Sequence, residues 1–152
     1  MEKINPKQAA GVWERVTAGR EQKVSLEELV MENWENALSF LHLSRRIQGP
    51  KSARLHSLYQ SSQQSADCLK GICLLLTGTR PALGNRPPKQ EPVDAALRNC
   101  YGRAMRLLAR LEENKNDPQY GPVFSRLAVQ QQEQCRVILE LLGSLETQKG
   151  KR

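Results

Sequence analysis

A chain of 152 residues with a formal charge of +7 is long enough for one domain with a sizeable core. A hydrophobic fraction of 39% and a charged fraction of 26% exclude a disordered polyelectrolyte, and no apolar run is long enough to span a bilayer. An aromatic fraction of 5%, with no recognition motif among the basic residues, makes nucleic acid an unfavoured partner.

The opening residues Met1-Glu2-Lys3-Ile4-Asn5 hold no apolar signal core, which predicts the cytoplasm. A short N-terminal helix over 6–17 then carries Val12, Trp13 and Val16 and is closed by Gly19. Ser25-Leu26-Glu27-Glu28 is a capping box, in which the serine accepts from the helix start and Glu28 reaches back. It predicts a first bundle helix over about 25–47, stopped by Gln48-Gly49-Pro50. Pro50 suits the first turn of a second helix, 50–77, which ends at Thr77 with Gly78 as its cap.

The stretch 79–92 holds four of the eight prolines (Pro81, Pro87, Pro88 and Pro92) together with Gly84 and Asn85, so 79–91 reads as a crossover linker. A third helix follows over about 92–114 and breaks at Asn116-Asp117-Pro118. The fourth covers about 118–147, and Lys149 to Arg152 is a basic frayed tail. No strand pattern interrupts the series. The expected fold is an all-α, antiparallel four-helix bundle in a single domain. Short connections make two hairpins, and the long one between the second and third helices is the topology of a ferritin-like bundle.

The inward stripes of these helices share a polar gap at matching depth. Over 55–76 the stripe runs Leu55, Leu58, Ser62, Ser65, Leu69, Ile72, Leu76; over 123–145 it runs Phe124, Leu127, Gln131, Gln134, Ile138, Leu141, Leu145. Alternating steps of three and four place each set on one helix face. Asn33 falls between Val30 and Ala37, and Ala104 between Cys100 and Leu107. A bundle core normally excludes amides and hydroxyls, because burying one without a partner costs about 1–3 kcal/mol. Two readings of this waist stay open. It is either a closed hydrogen-bonded network, with water, or a pocket for a small polar ligand.

Four cysteines (Cys68, Cys73, Cys100 and Cys135) lie in helical segments with no CxxC pair, which argues against a zinc ribbon or a disulfide framework. Small apolar fillers are the expected role. Cys68, Cys100 and Cys135 lie close enough to the waist positions for a soft-metal or redox site to be the sharper alternative.

Several pieces resemble the rubrerythrin-like branch of the ferritin-like superfamily. They are Ala66-Asp67-Cys68-Leu69-Lys70-Gly71-Ile72 with Leu76-Thr77-Gly78, and Tyr120-Gly121-Pro122-Val123-Phe124 with Leu127-Ala128. Trp34-Glu35-Asn36-Ala37 with Leu43-Ser44-Arg45-Arg46 resembles the first bundle helix, and Val12-Trp13-Glu14-Arg15-Val16 is similar to the leading helix of bacterial members. The resemblance covers Ser25 to Leu145 and implies a site for two irons. One glutamate comes from each of two helices and a Glu-x-x-His from each of the others.

Aligned on this chain, the Glu-x-x-His slots fall on Ser62-Gln63-Gln64-Ser65 and Gln131-Gln132-Glu133-Gln134. The lone glutamates map to Asn33 and Ala104. None of the six positions Asn33, Ser62, Ser65, Ala104, Gln131 and Gln134 carries an iron ligand of the implied type. Glu32, Glu35 and Glu133 are displaced by a residue or more, and one residue is about 100° of rotation. His42 and His56 lie away from the slots.

The expected function is therefore a non-catalytic binding or structural relative that has lost its diiron site, with no catalytic residue, no metal ligand and no cofactor. The rivals are an iron-dependent oxidoreductase or peroxidase with an unconventional ligand set, and a basic bundle binding anions or nucleic acid. The partner is an unknown protein or small molecule, without a membrane. Trp34, Leu38 and Leu41 lie off the stripe through Val30, Asn33, Ala37 and Phe40. They need cover from the N-terminal helix or from a second copy, as in a homodimer.

Overall fold

The structure is a computed structural model that describes residues 6–84 and 88–150, with side chains described over 26–84 and 88–145. It holds four helices: α1 Pro6–Arg46, α2 Pro50–Thr77, α3 Val93–Glu113 and α4 Gly121–Gly150. No strand occurs among the described residues, and none of the helices is long and apolar enough to cross a membrane.

Local chemistry accounts for most boundaries. Pro50 occupies the first turn of α2, where its missing N–H has no helical partner to lose. Gly78 closes α2 at φ 73°, a left-handed conformation that glycine adopts without a side-chain penalty, and its N–H bonds the Leu74 carbonyl at 2.8 Å. Pro92 and Asn114 flank α3. Asp117 accepts from the backbone N–H groups of Gln119 and Tyr120 at 3.0 and 2.6 Å. Residues 118–120 therefore form a capped turn, and α4 starts at Gly121, three residues later than expected. A Cβ at Gly121 would lie 2.5 Å from the Lys115 carbonyl oxygen, so this close turn requires glycine.

The N-terminus departs from expectation. The separate helix over 6–17, its stop at Gly19 and a new start at Ser25 are replaced by one helix of 41 residues. A glycine inside a helix costs only about 1 kcal/mol relative to alanine. A Ser-x-x-Glu pattern favours a helix start without preventing the preceding turns from joining it. The contacts expected of Val12, Trp13 and Val16, and the capping hydroxyl of Ser25, lie outside the described side chains. So do the five opening residues, Asn85, Pro87 and the final Lys151-Arg152. α4 itself continues through Gly150 into the segment expected to fray.

α1 packs against α2 and α3, and α4 packs against the same two, leaving α1 opposite α4 and α2 opposite α3. The apolar stripes meet in two clusters. The first unites Leu26, Leu29 and Val30 with Leu69 and Ile72, Leu107 and Leu111, and Phe124, Leu127 and Ala128. The second unites Phe40 and Leu43 with Leu55 and Leu58, Leu97, Cys100 and Ala104, and Cys135, Ile138 and Leu141. Each large side chain buried there contributes about 1.5–3 kcal/mol relative to exposure. Leu76, expected on the inward stripe, is 42% exposed, because the last turn of α2 overruns the cluster and Cys73 fills the final inward position.

The segment joining α2 to α3 lies against α1. Trp34 Nε1 donates to the Gly84 carbonyl at 2.9 Å, and Arg46 Nη1 donates to the Glu91 carbonyl at 2.8 Å. Lys70 also sits over the Trp34 ring, 5.9 Å from its centroid. The linker thus touches the off-stripe tryptophan, a covering that helix periodicity does not reveal.

Candidate functional site

Between the two clusters all four inward faces turn polar or small. Asn33, Ser62, Ser65, Gln131 and Gln134 are each at most 3% exposed, and Ala104 is fully buried at the edge of the second cluster. Helical spacing places them there: each is a step of three or four from a cluster leucine, isoleucine or phenylalanine. A sixth polar residue, Asn36, is also fully buried. It lies off the stripe toward α3, and the only sequence signal for it is its position three residues beyond Asn33.

The α2–α4 side of this layer is paired. Ser62 donates to Gln134 Oε1 at 3.3 Å, Gln134 Nε2 donates to Ser61 Oγ at 3.0 Å, and Ser65 donates to Gln130 Oε1 at 3.4 Å. The α1–α3 side is tied by Asn36. Its Nδ2 donates to the Cys100 carbonyl at 3.1 Å, and its Oδ1 accepts from Arg103 Nε at 2.7 Å.

The centre differs. Asn33 Oδ1, Asn33 Nδ2 and Gln131 Nε2 are buried without a hydrogen-bond partner in the protein. These residues belong to α1 and α4, the helices that face each other across the bundle. Unmet amides of this kind cost about 1–3 kcal/mol each unless water or a guest completes them.

The donor set does not fit two irons. Among the described residues no group of three or more His, Cys, Asp or Glu side chains is placed to hold a metal ion. The displaced acids are engaged elsewhere or face solvent. Glu32 pairs with Arg106 at 3.4 Å, with its second oxygen buried and unpartnered. Glu35 is exposed, and Glu133 pairs with Arg136 on the surface of α4. Neutral amides and hydroxyls cannot offset two buried dications.

The three candidate thiols are not assembled into a site. Cys100 and Cys135 belong to the second cluster, whereas Cys68 packs against the first. Burial pushes the Cys100 thiol up, outweighing the nearby Arg103 cation. Burial also raises Cys135, whose Sγ lies 3.7 Å from the Met105 sulfur. Neither thiol is disposed to ionise at neutral pH.

No family model, curated protein or solved structure matches the chain. The resemblance to rubrerythrin-like bundles therefore stands on the quoted residues alone.

Proposed function

We propose that the chain is a non-catalytic, rubrerythrin-related member of the ferritin-like bundles that has lost its diiron ligands and serves as a binding or structural protein. The observation that carries this reading is the buried neutral layer. The six positions where the resemblance requires Glu and His are all buried, and they hold Asn33, Ser62, Ser65, Ala104, Gln131 and Gln134. Five polar side chains between two apolar clusters are costly to bury, which supports a waist that once held a polar guest.

The path of the chain supports a single long crossover. The first cluster takes the C-terminal parts of both α2 and α3, which favours a connection that returns along the bundle. Gly84 and Glu91 are bonded to Trp34 and Arg46, about 18 Å apart along α1 at 1.5 Å per residue. Self-association as a homodimer belongs to the proposal as well, although Trp34 already has a partner in the linker. Light scattering at high concentration tests it, and a strict monomer would remove it.

The decisive experiment restores the implied ligands. The six-fold variant Asn33→Glu, Ser62→Glu, Ser65→His, Ala104→Glu, Gln131→Glu and Gln134→His should bind about two irons per chain. The backbone already carries these positions inward, so only side-chain chemistry changes. A variant that folds, by circular dichroism, yet binds no iron would overturn the vestigial-site reading.

A further inference from the structure

The arginines of α3 divide into two kinds. Arg98 pairs with Asp94, Arg106 with Glu32 and Arg110 with Glu28. Arg103 is half-buried and holds neutral groups only: Asn36 Oδ1 at 2.7 Å, Ser39 Oγ at 3.3 Å and Cys100 Sγ at 3.7 Å. Among the described residues no carboxylate pairs with it, and its Nη1 donates to no protein group. A guanidinium fixed by Nε and Nη2, with both N–H groups of Nη1 left over, is a preorganised cationic donor for an anion.

Arg103 lines a cleft of about 410 Å³ between α1, residues 88–91 and α3. Arg45, Arg46 and Lys89 supply three more cations to its walls, against the carboxylates of Glu35 and Glu91. Glu91 is engaged by Asn99 at 2.7 Å, and Arg46 is bonded to the Glu91 backbone. Among the described residues no direct ion pair neutralises a cation of the cleft. Four cations against two carboxylates leave a net charge of +2. Leu38, Pro88 and Ala96 provide an apolar wall beside them. The volume falls within the ordinary range for small-ligand sites, roughly 300–1,000 Å³.

We propose that this cleft binds a small organic phosphate, with the phosphate on Arg103 and the basic end and an apolar body against Leu38 and Pro88. A phosphomonoester carries about −1.5 to −2 at neutral pH, which matches the excess positive charge. A monocarboxylate would leave half of that charge unmet. The site is separate from the polar waist and stands whether or not the waist once held metal.

Isothermal titration calorimetry of the full chain with phenyl phosphate tests it, with inorganic phosphate and phenol as the half-ligands. Phenyl phosphate should bind saturably, one per chain, more tightly than inorganic phosphate, and phenol should not bind. Arg103→Gln should weaken binding about tenfold or more, since a hydrogen bond to a charged group is lost, whereas Arg98→Gln on the same helix should change nothing. If Arg103→Gln fails to fold, the exposed pair Arg45→Gln/Lys89→Gln decides, with several-fold weakening expected. Absence of saturable binding would overturn the proposal. So would equal losses in the Arg98 and Arg103 variants, the mark of a diffuse basic surface, or unchanged binding in the exposed pair.

Discussion

The two apolar clusters and the layer between them are built on the same four helices with the same spacing, yet they are held by different physics. In the clusters, helix faces meet through Phe40, Phe124, leucines and Ile138, all buried, and any well-shaped apolar side chain satisfies its neighbours. In the waist, satisfaction depends on pairing. Gln134 has two serine partners, whereas Asn33 and the Gln131 amide nitrogen have none in the protein. Burial depth is the same in both regions, so depth alone does not tell how much a side chain contributes. A sequence pattern can thus specify where a residue sits while leaving open what holds it there.

The largest expected effect lies in the clusters. Phe40→Ala or Phe124→Ala, each fully buried, should cost about 3–5 kcal/mol in urea unfolding. A loss below about 1 kcal/mol would mean that the clusters are loosely packed and that the contrast with the waist is false. Next comes a contrast within the waist itself. Gln134→Leu breaks bonds to Ser61 and Ser62 and should cost about 1–3 kcal/mol. Gln131→Leu removes a buried amide nitrogen with no protein partner and should be neutral or stabilising, within about 1 kcal/mol. The reverse order in the same unfolding assay would assign the pairing wrongly.

Thiol labelling separates the regions by access. Cys68 is half-buried, while Cys73, Cys100 and Cys135 are buried, and burial disfavours the thiolates of Cys100 and Cys135. Cys68 should therefore react first with a thiol reagent in the native protein, and the other three should react at the rate of opening. Early labelling of Cys100 would show that the second cluster breathes.

The smallest effect is at the outer surface of α4. A hydrogen bond from Arg136 holds Glu133 below the usual carboxylate range, and Arg54 with Arg136 does the same for Glu140. Because the folded values are depressed, this contribution is present above pH about 4.3 and is lost as pH falls through the lower folded-state values. Both acids are exposed, so Arg136→Gln should flatten the acid limb of the stability curve slightly, and added salt should mask the change.

Much of the helical framework was legible because its signals are local. Pro50, Gly78, Pro92 and Asn116-Asp117-Pro118 mark ends that depend on backbone chemistry within a few residues. The stripe positions Asn33, Ser62, Ser65, Gln131 and Gln134 were legible because periodicity alone fixes a helix face. Other features depend on what lies opposite, which periodicity does not contain. Continuity of α1 through Gly19 is one, since a helix-start pattern says nothing about the turns before it. The bond from Trp34 to Gly84 is another, made by a linker with no repeat of its own. Arg103 reads in sequence as one of several surface arginines on the third helix. Only the positions of Asn36 and Ser39 set it apart from Arg98, Arg106 and Arg110.

Metal analysis of the purified chain, grown with iron in excess, tests the central claim most directly. A waist of neutral amides and hydroxyls predicts no stoichiometric iron or other transition metal. Two tightly bound metal ions per chain, lost when Gln131 and Gln134 are replaced by leucine, would contradict it.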